Sequence, residues 1–378
     1  MRFWRAMLAG LVILLATKMA QGQQSGALIG FLVEKPKSED AQTFEEIKEP
    51  VYQTVWVAPD ASGKLAALVT IPNLIVPMKD EFWHVGVKQI CEFSHEPGDQ
   101  TGGNESMRQA AWRAPISMAA KVQATQLCRE HDPGDYAPPF GRSEQDQKKI
   151  SQCGFELMEI EYVSPAVLSV RKYDGQSESC EPRGGRYSVE FSVLGYESDE
   201  ALTVSQVLGD EARAAYLKAL PKQGQGDGGE DCGEPTDQDS GWRIDRHAGR
   251  WALYAHQGLG NFGCNVDAYV PFRLQSNVTG DNSTAPEWKQ LKASVKDFRD
   301  AYVSPAKDLL IVMTGTELRF CEYAEGMPGK ALLTLPAHPI VMLQWSTGKH
   351  VQDWTQQLGA IAAHALPEPE VRAAGSKQ

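Results

Sequence analysis

Trp242, Trp251, Tyr254 and His256 stand close together on a stretch whose pattern predicts a β-hairpin. Trp242-Arg243-Ile244-Asp245 and Trp251-Ala252-Leu253-Tyr254 flank the turn His247-Ala248-Gly249. Flat rings side by side on paired strands can stack on the apolar face of a sugar. Rings of this kind serve more often as core, and Trp242 and Tyr254 are the two open to projecting outward. With Asn261 in the glycine-rich turn that follows, the candidate ligand set is Trp242, Tyr254, His256 and Asn261.

Paired carboxylates are the other chemistry open to an acidic chain. Glu159 and Glu161 share one face of a predicted strand, and Asp132 and Asp135 share a loop. Two carboxyl groups flanking a glycosidic bond can hydrolyse it, but that constellation forms in space rather than in sequence. No residue is therefore assigned as catalytic. The run Gly258-Leu259-Gly260-Asn261-Phe262-Gly263 matches a dinucleotide fingerprint in form. Such a site needs a helix after the glycines to meet the pyrophosphate. Here Cys264 onward reads as a strand, so the run is a turn and no cofactor is expected. HExxH, the P-loop and GxSxG are absent.

No metal is assigned either. Asp237, Asp239 and Gly241 imitate the start of an EF-hand loop, with glycine one place early and Ala248 where a bidentate Glu is required. Asp227, Glu230, Asp231 and Glu234 leave loose calcium binding open beside the plainer reading, a solvated linker. Cysteine–histidine zinc spacing is missing.

The elements that must position these groups begin with a leader. Arg2 and Arg5 precede the apolar run Met7 to Ala16, and Ala20-Gln21-Gly22 offers small residues for cleavage. The run is shorter than the ~20 residues of a spanning helix, so residues 1–22 are expected to be a signal peptide and the product periplasmic or secreted, without stable membrane insertion. A net charge of −12 disfavours nucleic acid as a partner. In an exported chain the seven cysteines imply disulfides with one thiol left over. Connectivity does not follow from sequence; pairing neighbours gives Cys91 with Cys128, Cys153 with Cys180, and Cys232 with Cys264. Cys321 is left as a buried free thiol.

The expected fold class is α+β, with antiparallel β-rich blocks and a few packed helices. Residues 23–49 read as a polar lead-in. Residues 50–150 form a β-rich region with one helix through Trp112, Ile116, Ala119 and Val122, where Pro115 allows a break or a late start. Residues 151–275 form a second block, with a helix capped by Ser205 and an acidic glycine-rich loop over 222–240. Residues 286–366 form a third, opening on a helix through Trp288, Leu291, Val295 and Phe298 and closing on one through Val351, Trp354, Leu358 and Ile361. The tail 367–378 is expected to be disordered. Tyr162-Val163-Ser164-Pro165-Ala166 returns as Tyr302-Val303-Ser304-Pro305-Ala306, which makes a β-propeller the alternative fold, although no period of 40–50 residues is sustained.

Residues 153 to about 275 resemble an extracytoplasmic domain of bacterial envelope proteins, the sensor portion of lysozyme-responsive anti-sigma factors. The likeness rests on an acidic strand leading to Tyr162-Val163-Ser164-Pro165 and Leu168-Ser169-Val170. A long hairpin follows, then Leu202-Thr203-Val204-Ser205-Gln206-Val207-Leu208, the hairpin at 242–254 and Val270-Pro271-Phe272-Arg273-Leu274. The family's Gly-Ala-His after the first hairpin is absent, with Gly184-Gly185-Arg186 nearby, so no ligand residue carries over. The resemblance implies recognition of an envelope polymer or partner protein. A hydrolase of cell-wall polysaccharide or peptide, and a structural part of an envelope assembly, are the alternatives.

Overall fold

The computed structural model describes residues 25–36, 49–94, 104–117, 153–177, 186–198, 200–220, 224–225, 231–232, 238–258, 265–280, 286–324 and 326–364. Among them the fold is α+β, with short helices set among almost wholly antiparallel sheets. The sheets are separate and do not close on a common axis, which removes the propeller alternative.

The first sheet joins the two ends of the chain. β1 (Ser25–Glu34) lies between β2 (Val51–Pro59) and β19 (Ile340–Thr347), with β3 (Leu65–Pro72) at the edge. β1 falls within the stretch expected to be a polar lead-in, and it is instead a core strand, buried from Ser25 to Leu32. A strand covered on both faces loses the apolar–polar alternation by which strands are read. Ala27, Ile29 and Phe31 enter one core, while Leu28 and Leu32 enter a second. Gly26 is required by space: a Cβ there would lie 2.3 Å from the Trp56 ring.

The six-stranded sheet runs β4 (Leu74–Pro77), β5 (Phe82–Ser94), β6 (Asn104–Pro115), β7 (Cys153–Val163), β8 (Leu168–Ser177) and β9 (Arg186–Leu194). The helix expected through Trp112 does not include that residue; among the described residues it begins at Ile116, after Pro115. Trp112 belongs to β6, which pairs with β5 from Asn104 to Pro115, and its ring fills the space over Gly86. Ile116 and Ser117 are helical, and Ala119 and Val122 lie outside the described residues.

α1 (Val204–Leu208) and α2 (Asp210–Ala219) follow, separated by Gly209 at φ 86°. Thr203, not Ser205, caps α1, in a reciprocal capping box with Gln206. β10 (Gly224–Gln225) pairs with β11 (Asp231–Cys232) inside the segment expected to be a loop. β12 (Trp242–His247), β13 (Arg250–Gly258) and β14 (Asn265–Val270) make a three-stranded sheet. β14 stops at Val270, before Pro271.

After α3 (Ser276–Thr279), α4 (Trp288–Ser294) ends before Phe298. Asp297, at φ 56°, turns the chain, and Phe298 opens β15 (Phe298–Val303) with its ring 4.8 Å from Trp288. β16 (Leu309–Thr314), β17 (Glu317–Ala324) and β18 (Met327–Pro336) complete a four-stranded sheet. The closing helix α5 (Lys349–His364) lays Val351, Trp354, Leu358 and Ile361 on the second core. The first core draws residues from the N-terminal strands, the central block and the C-terminal sheet alike.

Candidate functional site

The candidate site lies on the outward face of β12–β14. Ala248 (φ 47°) and Gly249 (φ 82°) form the two-residue connection of the hairpin, and left-handed backbone at both positions matches the twist of the flanking strands. With the register fixed, alternation separates the candidate residues. Trp242 is fully buried and its Nε1 donates to the Leu202 carbonyl (2.7 Å). Trp251 also faces inward, with its ring 4.5 Å from Tyr162. Trp242 therefore offers no open face to a ligand, because its indole fills the first core.

Tyr254 and His256 share the opposite face but have different surroundings. Tyr254 is half-buried, and its hydroxyl lies 3.0 Å from His247 Nδ1. His256 is buried under Phe191 of β9, rings 4.5 Å apart, with Nε2 3.2 Å from the Val189 carbonyl. Burial depresses its pKa, partly countered by that carbonyl. Asn261 lies outside the described residues.

Tyr269 completes the face. It is 43% exposed and stacks on His247, centroids 4.0 Å apart and planes 14° from parallel. Tyr254 meets Tyr269 edge-on at 5.8 Å. The ladder places Tyr254 directly between Arg243 and Tyr269, with Ala252 opposite Asp245 in the next row of this face. His247, on β12, reaches Tyr269, on β14, across the small side chain of Ala252.

Beneath the rings, the buried Arg243 guanidinium lies between Phe191 (4.8 Å) and Tyr254 (4.9 Å). It donates to both oxygens of Asp267 (2.8 and 3.4 Å) and to Asp245. Burial opposes its charge, and Asp267, Asp245 and Glu161 more than restore it, so its pKa is raised. Bidentate pairing of this kind fixes direction as well as distance.

Glu161 stands deeper, at a register shift of β7. Its carboxylate pairs with Arg171 of β8, and Oε2 is 3.8 Å from Arg243 without a hydrogen bond. Burial pushes its pKa up to about 7 against the pull of Arg171 and Arg243, with Asp245 and Glu159 adding to the rise. Glu159 is buried and accepts from Tyr173 (3.3 Å), whose hydroxyl also receives Arg171 (3.2 Å). The two glutamates noted on one strand thus form part of a polar cluster between sheets. Asp132 and Asp135 lie outside the described residues.

Among the described residues, no group of three or more His, Cys, Asp or Glu is placed to hold a metal. Asp239 is buried and accepts from the Ser205 amide (3.0 Å), while Asp227, Glu230, Glu234 and Asp237 lie outside the described residues. Cys321 is a buried free thiol. Cys128, Cys180 and Cys264 lie outside the described residues, as do the side chains of Cys91, Cys153 and Cys232. No helix among the described residues is long and apolar enough to cross a membrane.

The sequence reading passed over Arg243, His247 and Tyr269. The alternation Asp267-Ala268-Tyr269 places Asp267 and Tyr269 on one face of β14. Only pairing between strands reveals that Tyr254 and Tyr269 are neighbours.

The chain matches no protein-family model and no curated protein. Among solved structures it is similar to a DUF3298 family member from Bacteroides fragilis, at 12% identity and a TM-score of 0.27, over 53% of this chain and 94% of that one. It is also similar to a DUF3298 family protein from Pseudomonas aeruginosa PAO1, at 10% identity and a TM-score of 0.24, over 54% of this chain and 98% of that one.

Proposed function

We propose that the protein is an exported bacterial binding protein that recognises an envelope component without transforming it. The observation that supports this reading is the outward face of β12–β14. Exposed rings of Tyr269 and His247 rest on a sheet whose flanking carboxylates are held by the buried Arg243. A surface preorganised on strands binds without first having to order itself.

A cell-wall hydrolase is the rival reading. Glu161 favours it, since a carboxyl group titrating near neutrality suits a general acid. Its position opposes it. Only 13% of the side chain is exposed, and two guanidinium groups flank the carboxylate.

Thermal unfolding of the oxidised mature protein, against peptidoglycan fragments and lysozyme-type proteins, separates the two. Binding to the native state at a hundredfold excess over Kd contributes about 2.7 kcal/mol. The recognition reading expects a raised midpoint with no product after hours of incubation. Turnover that is lost in Glu161→Gln would establish the hydrolase instead.

A further inference from the structure

We infer that the Tyr269–His247–Tyr254 face binds an uncharged saccharide chain, with a sugar ring stacked on the aromatic pair and its hydroxyls donating to Asp245 and Asp267. This rests on the recognition reading and names its ligand class.

Shape is the first argument. His247 and Tyr269 lie nearly parallel, and Tyr254 stands beside them at 5.8 Å, its hydroxyl tied to His247. Each ring of the stacked pair covers one face of the other, so a ligand meets the outer face of the pair. Tyr254 is edge-on beside it, and all three residues lie on hydrogen-bonded strands rather than loops. Pyranose rings present an apolar face of axial C–H groups with hydroxyls around the rim. Aromatic side chains that are apolar in the body and polar at the tip match both features.

Charge is the second argument, and it disfavours an anionic ligand. The carboxylates of Asp245 and Asp267 are 45% and 44% exposed, and each already faces the same inward-turned guanidinium. A carboxylate offers about four lone-pair sites, so acceptor capacity remains at both after Arg243 is served. Arg171 is paired with Glu161, so Asp245 and Asp267 share the single Arg243 guanidinium, with the buried Glu159 behind it. The face therefore presents strong acceptors at its edge. Hydroxyl donors gain most from that arrangement. A polyanion would meet outward carboxylates, and a basic protein segment is the competing occupant that the titration must exclude.

Because Tyr269 is exposed, it can be changed without opening the core. The test uses the full mature chain, with calorimetric titration of chitotetraose and cellotetraose as uncharged probes. A tetragalacturonate serves as the anionic probe and a lysozyme-type protein as the basic one. The inference expects an uncharged oligosaccharide to bind, Tyr269→Ala to weaken it at least about tenfold, and Tyr269→Phe to restore most of the loss, all with unchanged thermal midpoints. Binding of neither uncharged probe, or binding that Tyr269→Ala leaves unaltered, would overturn it. Should the basic protein bind in a Tyr269-dependent way while both neutral sugars fail, the saccharide assignment falls and recognition stands. Failure of every envelope component to bind would remove the recognition reading itself.

Discussion

The guanidinium of Arg246 lies 4.1 Å over the ring of Tyr302. The same guanidinium covers Trp251 at 5.0 Å, and Trp251 in turn packs on Tyr162 at 4.5 Å. Tyr162 and Tyr302 each open a copy of Tyr-Val-Ser-Pro-Ala, so both copies meet the single hairpin row that pairs Arg246 with Trp251. The repeated segments are not propeller blades. They are strand ends that turn on Ser164 and Ser304 and brace the sheet carrying the candidate site.

Arg246 should therefore be among the costliest side chains to remove. It donates to both oxygens of Asp300 (2.6 and 3.1 Å) and to the Ala301 carbonyl (3.0 Å). Asp300 is itself buried, and Arg246→Ala would leave its carboxylate without the pair. Breaking a buried pair from one side typically costs ~3–5 kcal/mol. Urea unfolding should show that loss, and Arg246→Met with Asp300→Leu should recover most of it. A loss below ~1 kcal/mol for Arg246→Ala would mean the pair is effectively solvated.

What could be read from the sequence follows from where each signal is written. β9 (Arg186–Leu194) and β16 (Leu309–Thr314) carry the alternation and the apolar run by which strands are read. The hairpin turn at Ala248-Gly249 is local chemistry, and it formed as read. β1 was hidden because burial on both faces erases alternation. Trp112 misled because helical spacing was scored without its strand partner, Gly86. The face itself depends on neighbours across strands, Tyr254 beside Tyr269 and Arg243 beside Tyr254. That information is not periodic along the chain.

Between pH 4.5 and 6.5 Glu161 and His84 should pull stability in opposite directions, with the buried His256 adding to the loss in acid. The folded pKa of Glu161 is raised from 4.5 to about 7 by burial, so its contribution is fully present below 4.5 and lost as pH rises through about 7. His84 has two buried ring nitrogens without partners, and burial lowers its pKa from 6.5 to about 4. Its contribution is present above 6.5 and lost as pH falls through about 4. Each shift corresponds to roughly 3 kcal/mol across its full window. Glu161→Gln should expose a protein that weakens in acid, and His84→Phe one that strengthens in acid until other groups protonate. Denaturant midpoints measured every half unit of pH would show both slopes. Parallel profiles in the two variants would refute the assignment.

Gly241→Ala should separate folding from binding. A Cβ at Gly241 would stand 2.2 Å from the His256 carbonyl oxygen, a backbone atom that cannot rotate away. The Gly241 carbonyl also accepts the His256 amide (2.8 Å) and the Tyr216 hydroxyl (2.8 Å). Relieving the clash must shift the start of β12 against β13, at ~1–3 kcal/mol for overpacking of this kind. The aromatic face lies further along the hairpin, so ligand affinity should fall less than stability. Thermal unfolding and calorimetry on the same sample would compare the two.

Asp308 ties the second pentapeptide to the first described strand. Its carboxylate accepts from the Ser25 amide (3.0 Å), the Ser25 hydroxyl (2.6 Å) and the Ser304 hydroxyl (2.7 Å). Ser25 is fully buried, so Asp308→Ala would strand an amide and a hydroxyl where water does not reach. Each group left unsatisfied costs ~1–3 kcal/mol. Asp308→Asn retains one acceptor oxygen and should lose about half as much. Because Ser25 pairs with Thr347, the damage should appear first as faster amide exchange at Ser25 and Gly26. Exchange at Leu310 and Ile311, central in the four-stranded sheet, should stay slow. Equal acceleration at both places would mean that Asp308 supports the whole fold rather than the anchorage of β1.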